Sequence, residues 1–143
     1  MSDEILVEAF FQARRKGVAG PELADPELIA AEHGLRKALD LQLAVLDRLL
    51  ASGERLGGWK VGHTSGSRRG MLGRDFRPFG YILDGRIMQS GDTLRHGRIT
   101  SCFIEPELCV VLGAPLRGDD VDPVTARDAV RAVLLPRPER LCL

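Results

Sequence analysis

Gly57-Gly58-Trp59-Lys60-Val61-Gly62-His63-Thr64 divides this sequence in two. Before it, apolar residues recur every three or four positions. After it, they come in short runs bounded by Gly, Pro and Asp. The first spacing is that of helices with one buried face, the second that of strands. The octet itself reads as a strand with glycines at its start. The chain is therefore expected to be α+β, helices first, and not a series of alternating β-α units.

Upstream, residues 3–16 read as a helix. Leu6, Phe10 and Ala13 share one face, with Ile5, Ala9 and Phe11 beside it. Ser2 can cap its start and Gly17 can end it. Pro21 and Pro26 mark 18–34 as a connecting segment. A second helix is expected from Leu35 to Ala51, with an apolar stripe of Leu35, Leu39, Leu43, Leu46 and Leu50 and with Gly53 just past its end. The pattern lasts too few heptads for a coiled coil.

Downstream, the Gly-, Arg- and Phe-rich stretch 66–80 reads as a loop. Gly80–Leu83 and Arg86–Met88 read as short strands around a turn at Asp84-Gly85. Phe103–Leu112 is the clearest strand, with Pro106 marking an edge or a bulge. Asp122-Pro123 opens a last helix, expected to run to about Val133. The tail Pro136–Leu143 suggests neither strand nor helix. The division expected is a helical part, 1–56, and a strand-bearing part, 57–143, of one domain.

The 143 residues suffice for one domain. With 44% hydrophobic and 28% charged residues the chain reads as globular. Lys plus Arg (20) balance Asp plus Glu (20), which argues against bulk electrostatic binding to nucleic acid or an anionic membrane. No apolar run has the length of a membrane span, and the acidic start Met1-Ser2-Asp3-Glu4 has no signal-peptide pattern. Cys102, Cys109 and Cys142 match no zinc spacing and read as reduced, buried thiols, so a cytoplasmic protein is expected. No Gly-x-Gly-x-x-Gly or phosphate-loop motif is present.

Two places could carry chemistry. In Ile104-Glu105-Pro106-Glu107-Leu108, residues two apart on a strand would project Glu105 and Glu107 to one side. Paired carboxylates repel unless a cation compensates, and oxygen ligation suits Mg²⁺ or Mn²⁺ better than zinc. The competing reading is a solvated strand face, and spacing alone favours it. The second place is Lys60, set between Trp59 and Val61. It could meet a substrate carboxylate or a developing enolate, or simply lay its stem along the surface. His63, Thr64 and Ser65 follow as polar residues at a strand end; no serine-hydrolase motif accompanies them.

The order and spacing of four blocks resemble one known family. Gly58-Trp59-Lys60-Val61-Gly62-His63-Thr64-Ser65 is similar to the Gly-aromatic-Lys-(Ile/Val)-Gly-x-Thr block of the 2-keto-4-pentenoate hydratases and 4-oxalocrotonate decarboxylases, relatives of the fumarylacetoacetate hydrolases. Ile104-Glu105-Pro106-Glu107 resembles their metal block. Leu72-Gly73 with Phe79-Gly80, and Ala38-Leu39-Asp40-Leu41-Gln42, resemble two others. The resemblance runs from about residue 20 to residue 136. It implies a mixed β-roll of fumarylacetoacetase type behind a helical N-terminal part. It implies Mg²⁺ or Mn²⁺ held by three carboxylates, with Glu105 and Glu107 as two of them. It implies a small 2-keto or 2-hydroxydienoic acid from the breakdown of aromatic compounds, contacted by Lys60, Thr64, Ser65 and Phe79. Lys60 would be the catalytic residue. Assembly into homo-oligomers, or into a hetero-complex with a related decarboxylase, is implied as well.

Two departures qualify the resemblance. Arg77-Pro78 stands where the family has Pro-Asp before its Phe-Gly. The third metal carboxylate should follow Pro136, which puts it at Glu139, but Arg137 and Pro138 replace small and apolar residues there. The β-roll is therefore expected to be incomplete, through truncation or a frameshift. The leading expectation is a metal-dependent hydro-lyase. A decarboxylase or C–C hydrolase of the same superfamily, an inactive fragment or non-catalytic partner subunit, and a plain α+β binding module stand as alternatives.

Overall fold

The computed structural model describes residues 2–18, 20, 26–64, 66, 77–89, 91–94, 105, 107–118 and 120–134, with backbone alone for 26–33. The chain divides into two compact units. Residues 1–87 and 94–101 form the first, and 88–93 and 102–143 the second.

The first unit begins with helix α1, Asp3–Lys16. Asp3 and Glu4 in its first turn and Arg14, Arg15 and Lys16 in its last complement the helix dipole. Ser2 has the extended backbone of a cap, but its side chain makes no capping bond. At the other end Gly17 turns left-handed (φ 66°), and the N–H groups of Gly17 and Val18 close back on the carbonyls of Arg14 and Ala13. Helix α2, Pro26–Ala51, starts earlier than the sequence suggests. It is broken at Gly34 (φ 61°, ψ 174°), so the expected helix beginning at Leu35 is its second limb. Its end repeats that of α1. Gly53 (φ 101°) lets Gly53 and Glu54 bond back to Leu50 and Leu49.

The face that α2 buries differs from the expected stripe. Val45, Leu46 and Leu49 are buried, whereas Leu35 and Leu50 are exposed. Leucines lie on both sides of this helix, so spacing alone fits two stripes, and packing selects the one that includes Val45 and Leu49. Val7, Val45 and Leu49 form the core, with Phe10, Phe11, Leu41, Ala44, Tyr81 and Leu83 packed against them. Arg48 bridges Glu4 and Glu8 across the two helices.

Tyr81 and Leu83 come from a two-stranded antiparallel sheet of β1, Leu56–Val61, and β2, Phe79–Leu83. Its register pairs Trp59 with Tyr81, Lys60 with Gly80 and Val61 with Phe79, with an irregularity between Leu56 and Gly58. The expected hairpin around Asp84-Gly85 is absent. Asp84–Arg86 is a 3-10 turn, Ile87 N–H closes it on Asp84 O, and Asp84 N–H is taken by Arg55 O. The turn thus extends the pairing of β2 with β1 and starts no new strand.

The second unit holds β3, Cys109–Leu112, helix α3, Pro123–Asp128, and β4, Val130–Leu134. The strands pair antiparallel, with Cys109 opposite Leu134 and Leu112 opposite Val130. Two expectations change here. The last helix ends at Asp128 and not near Val133, because Val130–Leu134, with β-branched Val130 and Val133, has a partner strand in reach. Of the strand expected over Phe103–Leu112, the described strand is Cys109–Leu112; Glu105, Glu107 and Leu108 have no regular structure, and Phe103, Ile104 and Pro106 lie outside the described residues. β4 reaches its last residue, Leu134, opposite Cys109. Asp122 caps α3 as expected, accepting from Val124 N–H at 2.8 Å and Thr125 N–H at 3.0 Å.

The molecule is therefore α+β with helices first, and each described sheet is a two-stranded antiparallel pair. No helix among the described residues is long and apolar enough to cross a membrane. The tail 136–143, Cys102, Cys142 and most of the 66–80 segment lie outside the described residues.

Candidate active site

In the first unit the octet that opened the sequence is β1 and its exit. Residues directly opposite in an antiparallel ladder share a face, and neighbours along a strand alternate. Tyr81 and Leu83 pack against the helical core, so Trp59, Val61 and Phe79 lie on the helix side of the sheet. The rings of Trp59 and Phe79 meet edge to face there at 5.8 Å. Lys60 consequently stands on the other side, opposite Gly80, with Gly58 two residues before it. A methyl group at Gly58 or Gly80 would meet nothing within 4 Å. Lys60 is exposed over this open, glycine-floored surface.

Two polar features fix its surroundings. Gly62 N–H bonds Pro78 O at 2.7 Å, prolonging the pairing past the strand ends. Gln42, on α2, donates from Nε2 to Phe79 O at 2.9 Å in a partly buried bond. This glutamine anchors β2 to the helix. In the sequence Gln42 stands only as the end of a helical block, although one amide between Leu41 and Leu43 is a signal that this helix face meets a polar group. In the sequence His63 stands with Thr64 and Ser65 as polar residues at a strand end that could line a pocket. Its backbone is left-handed (φ 53°), and its Nδ1 is the one buried side-chain nitrogen or oxygen without a hydrogen-bond partner among the described residues.

The remaining expected site residues are distributed as follows. Thr64 is exposed just past β1, and Phe79 is half-buried on the face of the sheet opposite Lys60. Ser65 lies outside the described residues. Glu105 and Glu107 belong to the second unit, both exposed, in backbone without regular structure ahead of β3. Their shared direction therefore no longer follows from strand alternation. Glu139 lies outside the described residues. As donors, two carboxylates suit a hard cation such as Mg²⁺ or Mn²⁺. Among the described residues no three His, Cys, Asp or Glu side chains gather into a metal site, so a third ligand would have to come from elsewhere.

No family model matches this chain. Three curated proteins do. A 2-hydroxypent-2,4-dienoate hydratase of Pseudomonas putida is 33% identical over 101 residues, 68% of this chain and 44% of that protein. A 4-oxalocrotonate decarboxylase of a Pseudomonas species is 27% identical over 122 residues, 85% of this chain and 46% of that protein. A TodF product hydratase of Pseudomonas putida F1 is 28% identical over 126 residues, 88% of this chain and 45% of that protein. The chain thus spans a little under half the length of the curated relatives it matches.

Proposed function

We propose, from the premise that this chain belongs to the 2-keto-4-pentenoate hydratase and 4-oxalocrotonate decarboxylase family, that it serves hydration of a 2-hydroxy-2,4-dienoate through its 2-keto form in the catabolism of aromatic compounds. The observation that supports this reading is the place of Lys60. It stands on the side of β1–β2 away from the helices, with glycines beside and opposite it, where a small planar acid can lie against backbone.

In the reaction, the dienol first loses its enol proton and takes a proton on its terminal carbon, which gives the conjugated 2-keto-3-enoate. Water oxygen then bonds to the alkene carbon β to the keto group and gives up a proton, the alkene electrons move onto the keto oxygen as an enolate, and a proton is added at the α carbon. No group leaves and nothing is oxidised. The Lys60 ammonium would face the negative charge of the enolate, an interaction stronger in the transition state than with the neutral ketone. Thr64 and Ser65 would add hydroxyl donors to the acid at the end of β1. Phe79 would act from the helix side, holding Trp59 and hence the strand that carries Lys60. Glu105 and Glu107, with Glu139, would hold Mg²⁺ or Mn²⁺. When bound, such an ion supplies Lewis-acid polarisation of the keto-acid oxygens. Exposed Leu108, Val110, Leu112, Val133 and Leu134 on and beside β3–β4 support assembly into an oligomer.

The test is loss of dienoate ultraviolet absorbance by purified protein with and without Mg²⁺ or Mn²⁺, with product identified by mass. A gain of one water marks hydration, and loss of CO₂ marks the decarboxylase. Lys60→Met is expected to lower turnover by roughly 10²–10³-fold, the usual effect of removing one group that stabilises developing charge. Glu105→Ala is expected to remove the metal dependence. Turnover unchanged by either substitution would refute these assignments.

A further inference from the structure

We infer that His63 is a substrate-orienting residue, which presents a fixed Nε2–H donor to an oxygen of the bound 2-keto acid; the inference rests on the function proposed above. Two independent observations lead to it. The backbone of His63 is left-handed, at φ 53°. It is the one described non-glycine residue in that region, which is costly for an L residue and persists where the surroundings over-determine it. The residue is only half-buried, yet its Nδ1 is buried and has no hydrogen-bond partner.

The chemistry of the ring follows from that burial. A neutral imidazole carries one proton, on either nitrogen. On Nδ1 the proton would be a buried N–H with no acceptor, which folded proteins tolerate less well than an unsatisfied lone pair. The proton therefore belongs on Nε2, the nitrogen left to meet a partner from outside. Nδ1, shut off by protein, is inaccessible to a ligand. The ring thus offers a ligand one polar group, and that group donates. Its position is set by structure close at hand. Gly62 N–H is held by Pro78 O at 2.7 Å, and Lys60 lies three residues before on the paired strand. A donor and an ammonium three residues apart at one strand end suit a carboxylate or a keto oxygen, both of which only accept.

Three variants and one spectroscopic measurement test this. Long-range ¹H–¹⁵N spectra of the imidazole in the full chain should show the proton on Nε2, and addition of 2-oxopentanoate in Mg²⁺ buffer should shift that nitrogen. His63→Gly removes the ring and suits φ 53°, so it should melt at or above the wild type while binding 2-oxopentanoate at least tenfold more weakly by calorimetry. His63→Asn also tolerates the left-handed backbone and retains an N–H donor, so it should recover part of that loss. His63→Ala should bind as weakly as the glycine variant even where it melts lower. A proton on Nδ1, or glycine and alanine variants that bind as the wild type does, overturns the inference. A wild type that does not bind the keto acid overturns the proposed function, and this inference with it. That result is distinct, because in it the wild type itself fails.

Discussion

Three glycines around Lys60 should respond oppositely to the same added methyl group. A Cβ at Gly57 would lie 2.6 Å from Ile87 Cδ1, 2.8 Å from Asp84 Cα and 3.0 Å from Asp84 N. The Ile87 side chain can turn away. The Asp84 backbone cannot, because its N–H is bonded to Arg55 O at 2.8 Å and its carboxylate is paired with Arg55. Overpacking of this kind costs about 1–3 kcal/mol. Replacing glycine in a strand returns about 0.5–1 kcal/mol through the unfolded chain. Gly57→Ala should therefore be net destabilising by about 1–2 kcal/mol, or a melting point roughly 3–8 °C lower for a domain of this size. At Gly58 and Gly80 nothing lies within 4 Å, so only the favourable part remains. Gly58→Ala and Gly80→Ala should melt at or slightly above the wild type. Both methyls would stand beside Lys60, so both variants should bind 2-oxopentanoate more weakly than the wild type. Thermal melts followed by circular dichroism, with calorimetry for the ligand, measure both effects. A Gly57→Ala protein that melts no lower than Gly58→Ala would show the contact between β1 and the 84–87 turn to be wrong. Unimpaired binding by Gly80→Ala would show that the ligand does not use this side of the sheet.

Other outcomes follow from the packing and the caps. Leu49 is 2% exposed in the helical core, and Leu49→Ala should cost about 3 kcal/mol, read from urea unfolding. Arg48 joins Glu4 and Glu8 at the surface, so Arg48→Met should cost under about 1 kcal/mol, with a cost that shrinks as salt is added. The Asp122 carboxyl is held below the usual aspartate range by the Thr125 hydroxyl first, then by the N–H groups of Thr125 and Val124. A depressed carboxylate stabilises the fold above the unfolded pKa and ceases to do so as pH falls through the folded one. The melting difference between wild type and Asp122→Ala should therefore be full near neutrality and shrink as pH falls below the ordinary aspartate range. A difference constant from neutrality to acid would count against the cap.

Helices were legible where short-range chemistry decides them: Gly17 and Gly53 end α1 and α2, and Asp122-Pro123 starts α3. The face of α2 was not, since leucines lie all round it and the choice depends on partners far along the chain. Strand limits failed for a related reason. Val130–Leu134 could continue a helix or pair with β3, and only the partner decides. Lys60 could be singled out from its apolar neighbours, whereas its side of the sheet required the register with β2. Gln42 and His63 each acquire meaning only from a tertiary circumstance, a strand carbonyl in one case and a buried nitrogen in the other. The carboxylate pair was read from strand alternation, and the strand starts too late to support that argument.

The bond from Gln42 to Phe79 also bears on the order in which the first unit assembles. Residues 62–78 separate β1 from β2, so the two strands meet only after a long loop has been closed, and early pairing brings little return for that lost chain entropy. The two helices share a nearer boundary and can form their common apolar surface first. β2 then docks on a prepared template, with Tyr81 and Leu83 on its core and the Gln42 amide on Phe79 O. A slip of one residue in that docking would exchange the two sides of the sheet. The single amide on α2 thus fixes where β2 lies on the helix, and the register of β1 on that fixed strand keeps Lys60 on the side away from the core.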